Sequence, residues 1–113
     1  MKDFQGIIVE ESLIDNKILN EMNIISTNSN NENSSNKWHM YKVKVSKEDI
    51  DKISKNIKSN KWYAHFWKGK EVIVVFKNKT FSLIYDKKET WKQAIEYGIS
   101  IRIPKEQLDF PLD

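Results

Sequence analysis

The sequence predicts an α+β domain: an antiparallel sheet with two main helices packed largely on one face. Three observations predict it. Residues 61–85, KWYAHFWKGKEVIVVFKNKTFSLIY, read as a three-stranded meander (62–85) with two tight turns. Two other segments, about 47–58 and 87–97, each open on a capping residue and carry an apolar stripe at helical spacing. Strand-like and helix-like segments are mixed rather than strictly alternating, which favours an antiparallel sheet over a parallel one.

Phe4–Glu10 is the first expected strand. Gln5, Ile7 and Val9 share one face, and Phe4, Gly6 and Ile8 the other. Gly6 leaves room for a backbone or ring to approach. Ser12 and Asp15 have capping-box spacing, so a short helix is expected over Leu13–Met22 with Ile14, Ile18 and Met22 as its stripe. Ile24 and Ile25 suggest a short strand. Thr27–Asn36, TNSNNENSSN, has no apolar residue to repay ordering, and the expectation is a mobile loop at about 27–36. Trp38–Val45 reads as a strand with His39, Tyr41, Val43 and Val45 toward the core.

Ser46 and Asp49 then mark the strongest helix start in the chain. Val45 and Ile50 form the flanking staple, and Ile50, Ile53 and Ile57 the buried stripe. In the meander, Gly69 and Asn78 are the residues suited to a positive φ in the turns. Val72–Phe76 is apolar on both faces, so it belongs inside the sheet. Asp86 and Glu89 suggest the next cap, with Trp91, Ala94 and Ile95 buried. Gly98 is placed just past that helix and Ile99 as the residue packing back. Ile99, Ile101 and Ile103 read as an extended segment. Pro104 opens a turn, and Leu108 and Phe110 anchor the tail.

At 113 residues, with 39% hydrophobic and 31% charged residues, the chain suits a single domain spanning 1–113. The absence of cysteine excludes a disulfide framework and thiolate catalysis, and it suits a reducing cytoplasm. MKDFQGIIVEES lacks a signal-peptide core, and no segment approaches the ~20 apolar residues of a membrane span. The net charge of +3 is spread over turns and helix surfaces rather than gathered in one patch.

Five stretches carry a resemblance: GIIVEESL, WHMYKVKV, KWYAHF, FKNKTF and YGISIRIPKEQLDF. Through them the chain resembles a family of small uncharacterised prokaryotic proteins. The resemblance implies a stand-alone domain and supplies no catalytic residue.

Function is read from residue types. His39 and His65 lie on expected strands and, were those strands paired, would face one cavity with Glu10 and Glu11 nearby, a ligand or acid–base site. No HxH or HExxH spacing supports a metal centre, and no cofactor is indicated. On a strand Glu10 and Glu11 point one to each sheet face, and an inward one needs a partner such as His39, Lys42 or Tyr41; the plainer expectation is a solvent-facing pair that favours the helix that follows. Trp62, Tyr63 and Trp67 with Lys68 and Lys70 form a candidate partner surface. It could stack single-stranded nucleic acid, though no RNP-like pattern is present and ring packing within the sheet is the commoner use. There is no phosphate-binding glycine loop and no GxSxG. The first reading is therefore a binding or interaction module, for a protein partner (a homodimer included) or a small ligand, and not an enzyme. Nucleic acid is second, and a small enzyme or metal site using His39 or His65 with Glu10 or Glu11 third.

Overall fold

One residue-by-residue alternation sets the centre of the molecule. In Phe4–Val9, Phe4, Gly6 and Ile8 are buried while Gln5, Ile7 and Val9 are half-buried. Such a strand needs neighbours on both edges, and it has them. The computed structural model describes residues 3–30, 38–59, 62–105 and 108. Its regular elements are β1 (Phe4–Val9), β2 (Asn23–Asn30), β3 (Trp38–Val45), α1 (Lys47–Asn56), β4 (Ala64–Lys68), β5 (Glu71–Phe76), β6 (Lys79–Ile84) and α2 (Lys92–Ser100). They form an α+β fold with one sheet of order β2-β3-β1-β4-β5-β6, every neighbouring pair antiparallel. The radius of gyration, 13.4 Å, is what a single domain of this length adopts. No helix among the described residues is long and apolar enough to cross a membrane.

The sheet is covered on both faces, by one helix each. Ile50, Ile53 and Ile57 pack with Phe4, Ile8, Val43, Val45, Phe66, Ile73 and Val75. Trp91 and Ala94 pack with Trp67, Val72, Val74, Phe76 and Leu83. Ile73 and Val75 alternate with Val72 and Val74 along β5, so α1 and α2 lie on opposite faces. The expected arrangement, both helices largely on one face, is corrected. The reason lies in β5 itself: a strand buried from Val72 to Phe76 has an apolar row on each side, and each row needs a cover.

Local signals explain most boundaries. Ser46 and Asp49 form a complete capping box: Ser46 Oγ accepts from the Asp49 N–H at 3.2 Å, and Asp49 Oδ2 from the Ser46 N–H at 3.1 Å. Gly69 (φ +60°) and Asn78 (φ +59°) take the left-handed positions of the two hairpin turns. Trp62 and Tyr63 precede β4 rather than belonging to it.

Four expectations are corrected. The helix over Leu13–Met22 is a 3-10 helix over Asn16–Glu21, with Asp15 accepting from the Lys17 N–H at 2.9 Å. Leu13 is bridged to Ile57, the Ile14 N–H donates to the Asn56 carbonyl at 2.7 Å, and Ile14 is exposed, so the chain is held extended there. Second, β2 continues to Asn30, four residues into the expected loop, because β3 supplies a pairing partner; residues 31–37 lie outside the described ones. Third, Asp86 caps nothing. It pairs with Lys70 at 2.7 Å, and a 3-10 turn over Lys88–Trp91 leads into α2. Fourth, α2 runs through Gly98 and Ile99 to Ser100. Its Schellman ending is built on Arg102 (φ +73°): the Ile103 N–H donates to the Gly98 carbonyl and the Arg102 N–H to the Ile99 carbonyl, both at 3.0 Å. Gly98 serves packing instead: a Cβ there would stand 2.7 Å from Leu108 Cδ2, so the leucine side chain would have to shift. The Phe110 anchor lies outside the described residues.

Candidate functional site

Register alone brings the sequence's acid pair to its first histidine. β1 and β3 run antiparallel with Val9 opposite Met40, so the residues after Val9 sit beside the residue before Met40. The chain leaves β1 in a 3-10 turn over Glu10–Ser12, which the Ser12 hydroxyl fastens by donating to the Val9 carbonyl at 2.6 Å. The turn abolishes the strand alternation. Glu10 and Glu11 therefore both reach β3 instead of pointing to opposite faces.

Glu11 accepts from the backbone N–H of His39 at 2.9 Å and meets its ring Nδ1 at 2.8 Å. Glu10 accepts from the Tyr41 hydroxyl at 2.9 Å and from Asn16 Nδ2 at 2.8 Å. Burial pushes the Glu11 carboxyl up, but its bonds from the His39 side chain and backbone outweigh that and hold it below the ordinary carboxylate value. The Glu10 bond, then burial, pushes the Tyr41 phenol up. Glu10 and Glu11 are half-buried and His39 is exposed, which corrects the expectation of a solvent-facing acid pair. One ligand atom from each of Glu10, Glu11 and His39 lies within 4.8 Å of the others. Two carboxylates and an imidazole at that spacing can converge on a divalent cation. Every carboxylate oxygen accepts one hydrogen bond and keeps a second lone pair, so a cation would share these oxygens with Asn16, Tyr41 and His39 or displace them.

His65 does not join them. It sits on β4 opposite Ile7 and Val74, and it is buried beside Trp67 with ring centroids 5.4 Å apart. By strand alternation it belongs to the α2 face, whereas His39 shares the α1 face with Tyr41 and Val43. β1 also separates β3 from β4. The shared cavity expected for the two imidazoles is absent among the described residues.

The aromatic surface is dispersed as well. Trp67 is buried on the α2 face, half-buried Tyr63 packs on that face, and half-buried Trp62 packs on the α1 face. Lys68 pairs with Asp3 at 2.9 Å and Lys70 with Asp86 at 2.7 Å. These side-chain bonds raise both lysines and lower both aspartates, in the open and at little gain in stability. A stacking platform of open rings flanked by free lysines is not what these residues form. Three clefts among the described residues hold about 220 to 300 Å³ and are lined mainly by polar side chains such as Asp3, Lys47, Asp51, Asn78 and Thr80. That is at or below the small end of small-molecule sites, which are also more apolar.

A feature not singled out from the sequence is the outer edge of β2. β2 ends the sheet, so one row of its backbone groups has no strand beside it among the described residues. Its sequence, NIISTNSN, holds no charge and no proline in a chain that is 31% charged. The register shifts between Ile24 and Ser26, which leaves Ile25 outside the ladder; Ile24 is 39% and Ile25 46% exposed. The available signal was the pair of β-branched residues followed by Thr27 in a run without charge.

No family model, curated protein or solved structure matches this chain.

Proposed function

We propose that the protein is a stand-alone domain, as its motif resemblance implies, that acts as a binding module and engages a protein partner through the outer edge of β2. The observation that carries this reading is that edge: eight residues, uncharged, with Ile24 and Ile25 exposed. Exposed edges are ordinarily blunted by lysine, proline or brevity. An edge whose one protection among the described residues is the Ile25 bulge suits strand addition, in which main-chain hydrogen bonds give affinity and alternate side chains give specificity. A cytoplasmic setting fits the cysteine-free composition. The test is selection of short extended peptides on the immobilised protein, followed by binding to Ile25→Lys. Selected peptides should lose binding to the variant; peptides that bind both equally would place recognition elsewhere.

A second reading rests on the convergence of Glu10, Glu11 and His39: capture of a divalent cation. Titration with zinc or nickel should raise the melting temperature of the wild type and leave Glu11→Gln unchanged. An unchanged wild-type melting temperature at large excess of metal would end this reading.

A further inference from the structure

We infer that the partner of the β2 edge is a second copy of this chain, the two β2 strands pairing antiparallel across a two-fold axis. This rests on the edge reading above and names its occupant.

A two-fold antiparallel pair sets every residue opposite its own mirror position, so a charge near the axis meets its own kind. β2 contains none, although 31% of the chain is charged. What it does contain is Asn, Ser and Thr, whose side chains donate and accept alike and so can face their own type without leaving a group unpaired. The net charge of +3 is too small to hold two copies apart at physiological salt.

The other free edge is built differently. β6 opens on Lys79, with Lys77 in the turn before it, and the Lys79 ammonium lies 5.4 Å from the Tyr97 ring centroid. Lysine at an edge is a common guard against strand pairing. Only one of the two edges carries such a guard. On the unguarded one, Ile24 and Ile25 remain 39% and 46% exposed, and a second copy would remove more of their side chains from water. The bulge at Ile25 limits regular pairing to a short seam. A seam of that size is below the area of a permanent dimer, so the association is weak and concentration-dependent.

Sedimentation equilibrium of the full chain at about 10 to 500 µM tests this, a range that spans weak association. Wild type should move from one-chain toward two-chain mass as concentration rises. Ile25→Lys and Thr27→Lys, each checked for an unchanged melting curve, should stay at one-chain mass. Amides of Asn23–Asn30 should gain hydrogen-exchange protection with concentration in wild type alone. A one-chain mass for wild type throughout overturns the second-copy inference; if peptides selected as above still lose binding to Ile25→Lys, the edge reading survives it. A dimer indifferent to both lysine substitutions also overturns the inference, and the edge reading falls with it when the selected peptides bind Ile25→Lys as well as wild type.

Discussion

The ring of Phe66 lies over the bare backbone of Gly6, its direct partner across β1 and β4. A Cβ built on Gly6 would run into that ring and stand 2.6 Å from the His65 carbonyl oxygen. Phe66 is fully buried, so neither the ring nor the backbone behind it has room to withdraw. Gly6→Ala should therefore destabilise the protein by about 1–3 kcal/mol in urea denaturation. In a Phe66→Leu background the same change should do less harm, with the residual due to the His65 carbonyl. Equal penalties in both backgrounds would show that the ring is not the obstacle.

Ser54 ties α1 to the turn between β5 and β6. Its buried hydroxyl donates to the Phe76 carbonyl at 2.8 Å, and its own carbonyl accepts from the Asn78 N–H at 3.0 Å. Ser54→Ala removes only the first bond and leaves a buried carbonyl without it. A loss of about 1–2 kcal/mol is expected. Amide exchange should quicken at Asn78 and Lys79 before it does in β1.

How much of this was legible depends on whether the signal was local. Ser46, Asp49, Gly69 and Asn78 act through their own turn, and each does what its residue type suggests. The side of the sheet that α2 covers is not local: it follows from strand order, which β5 leaves open by being apolar on both faces. β2 was misread for a related reason. Asn, Ser and Thr have little to bury, but pairing with β3 holds them in a strand. In the site, Glu10, Glu11 and His39 were recognisable as chemistry, and Tyr41 as a possible partner. Their meeting depends on the pairing of Val9 with Met40, and the exclusion of His65 on β1 lying between β3 and β4. Neither can be read without the sheet.

Gly98 and Arg102 exchange the roles their residue types suggest. The left-handed position after α2 is held by an arginine, a conformation that carries a penalty of about 1–2 kcal/mol for an L-residue. Arg102 is exposed, so little else is lost with its side chain. Arg102→Gly should stabilise the fold by about 1 kcal/mol, net of the greater freedom of glycine in the unfolded chain. Thermal melting read against the Arg102→Ala variant isolates the backbone effect. Equal melting temperatures for Gly and Ala would refute it.

The contact between Glu11 and His39 predicts a definite acid response. Burial raises the Glu11 carboxyl and the His39 bonds more than offset it, so its folded pKa lies below its unfolded one. Between those two values the unfolded chain binds more protons than the folded chain, so stability rises with pH there. The contribution is fully present above the unfolded carboxylate value, about 4.3, and is lost as pH falls through the folded value. Glu11 is partly open to water, so the effect is modest. Urea denaturation of wild type and Glu11→Gln should show wild type more stable at pH 7 and the gap closing as pH falls below about 4. His39→Gln should narrow the gap at pH 7 and leave part of it, because the backbone N–H of residue 39 still reaches the carboxylate. A gap that is constant from neutral to acid pH would mean that Glu11 contributes shape rather than charge.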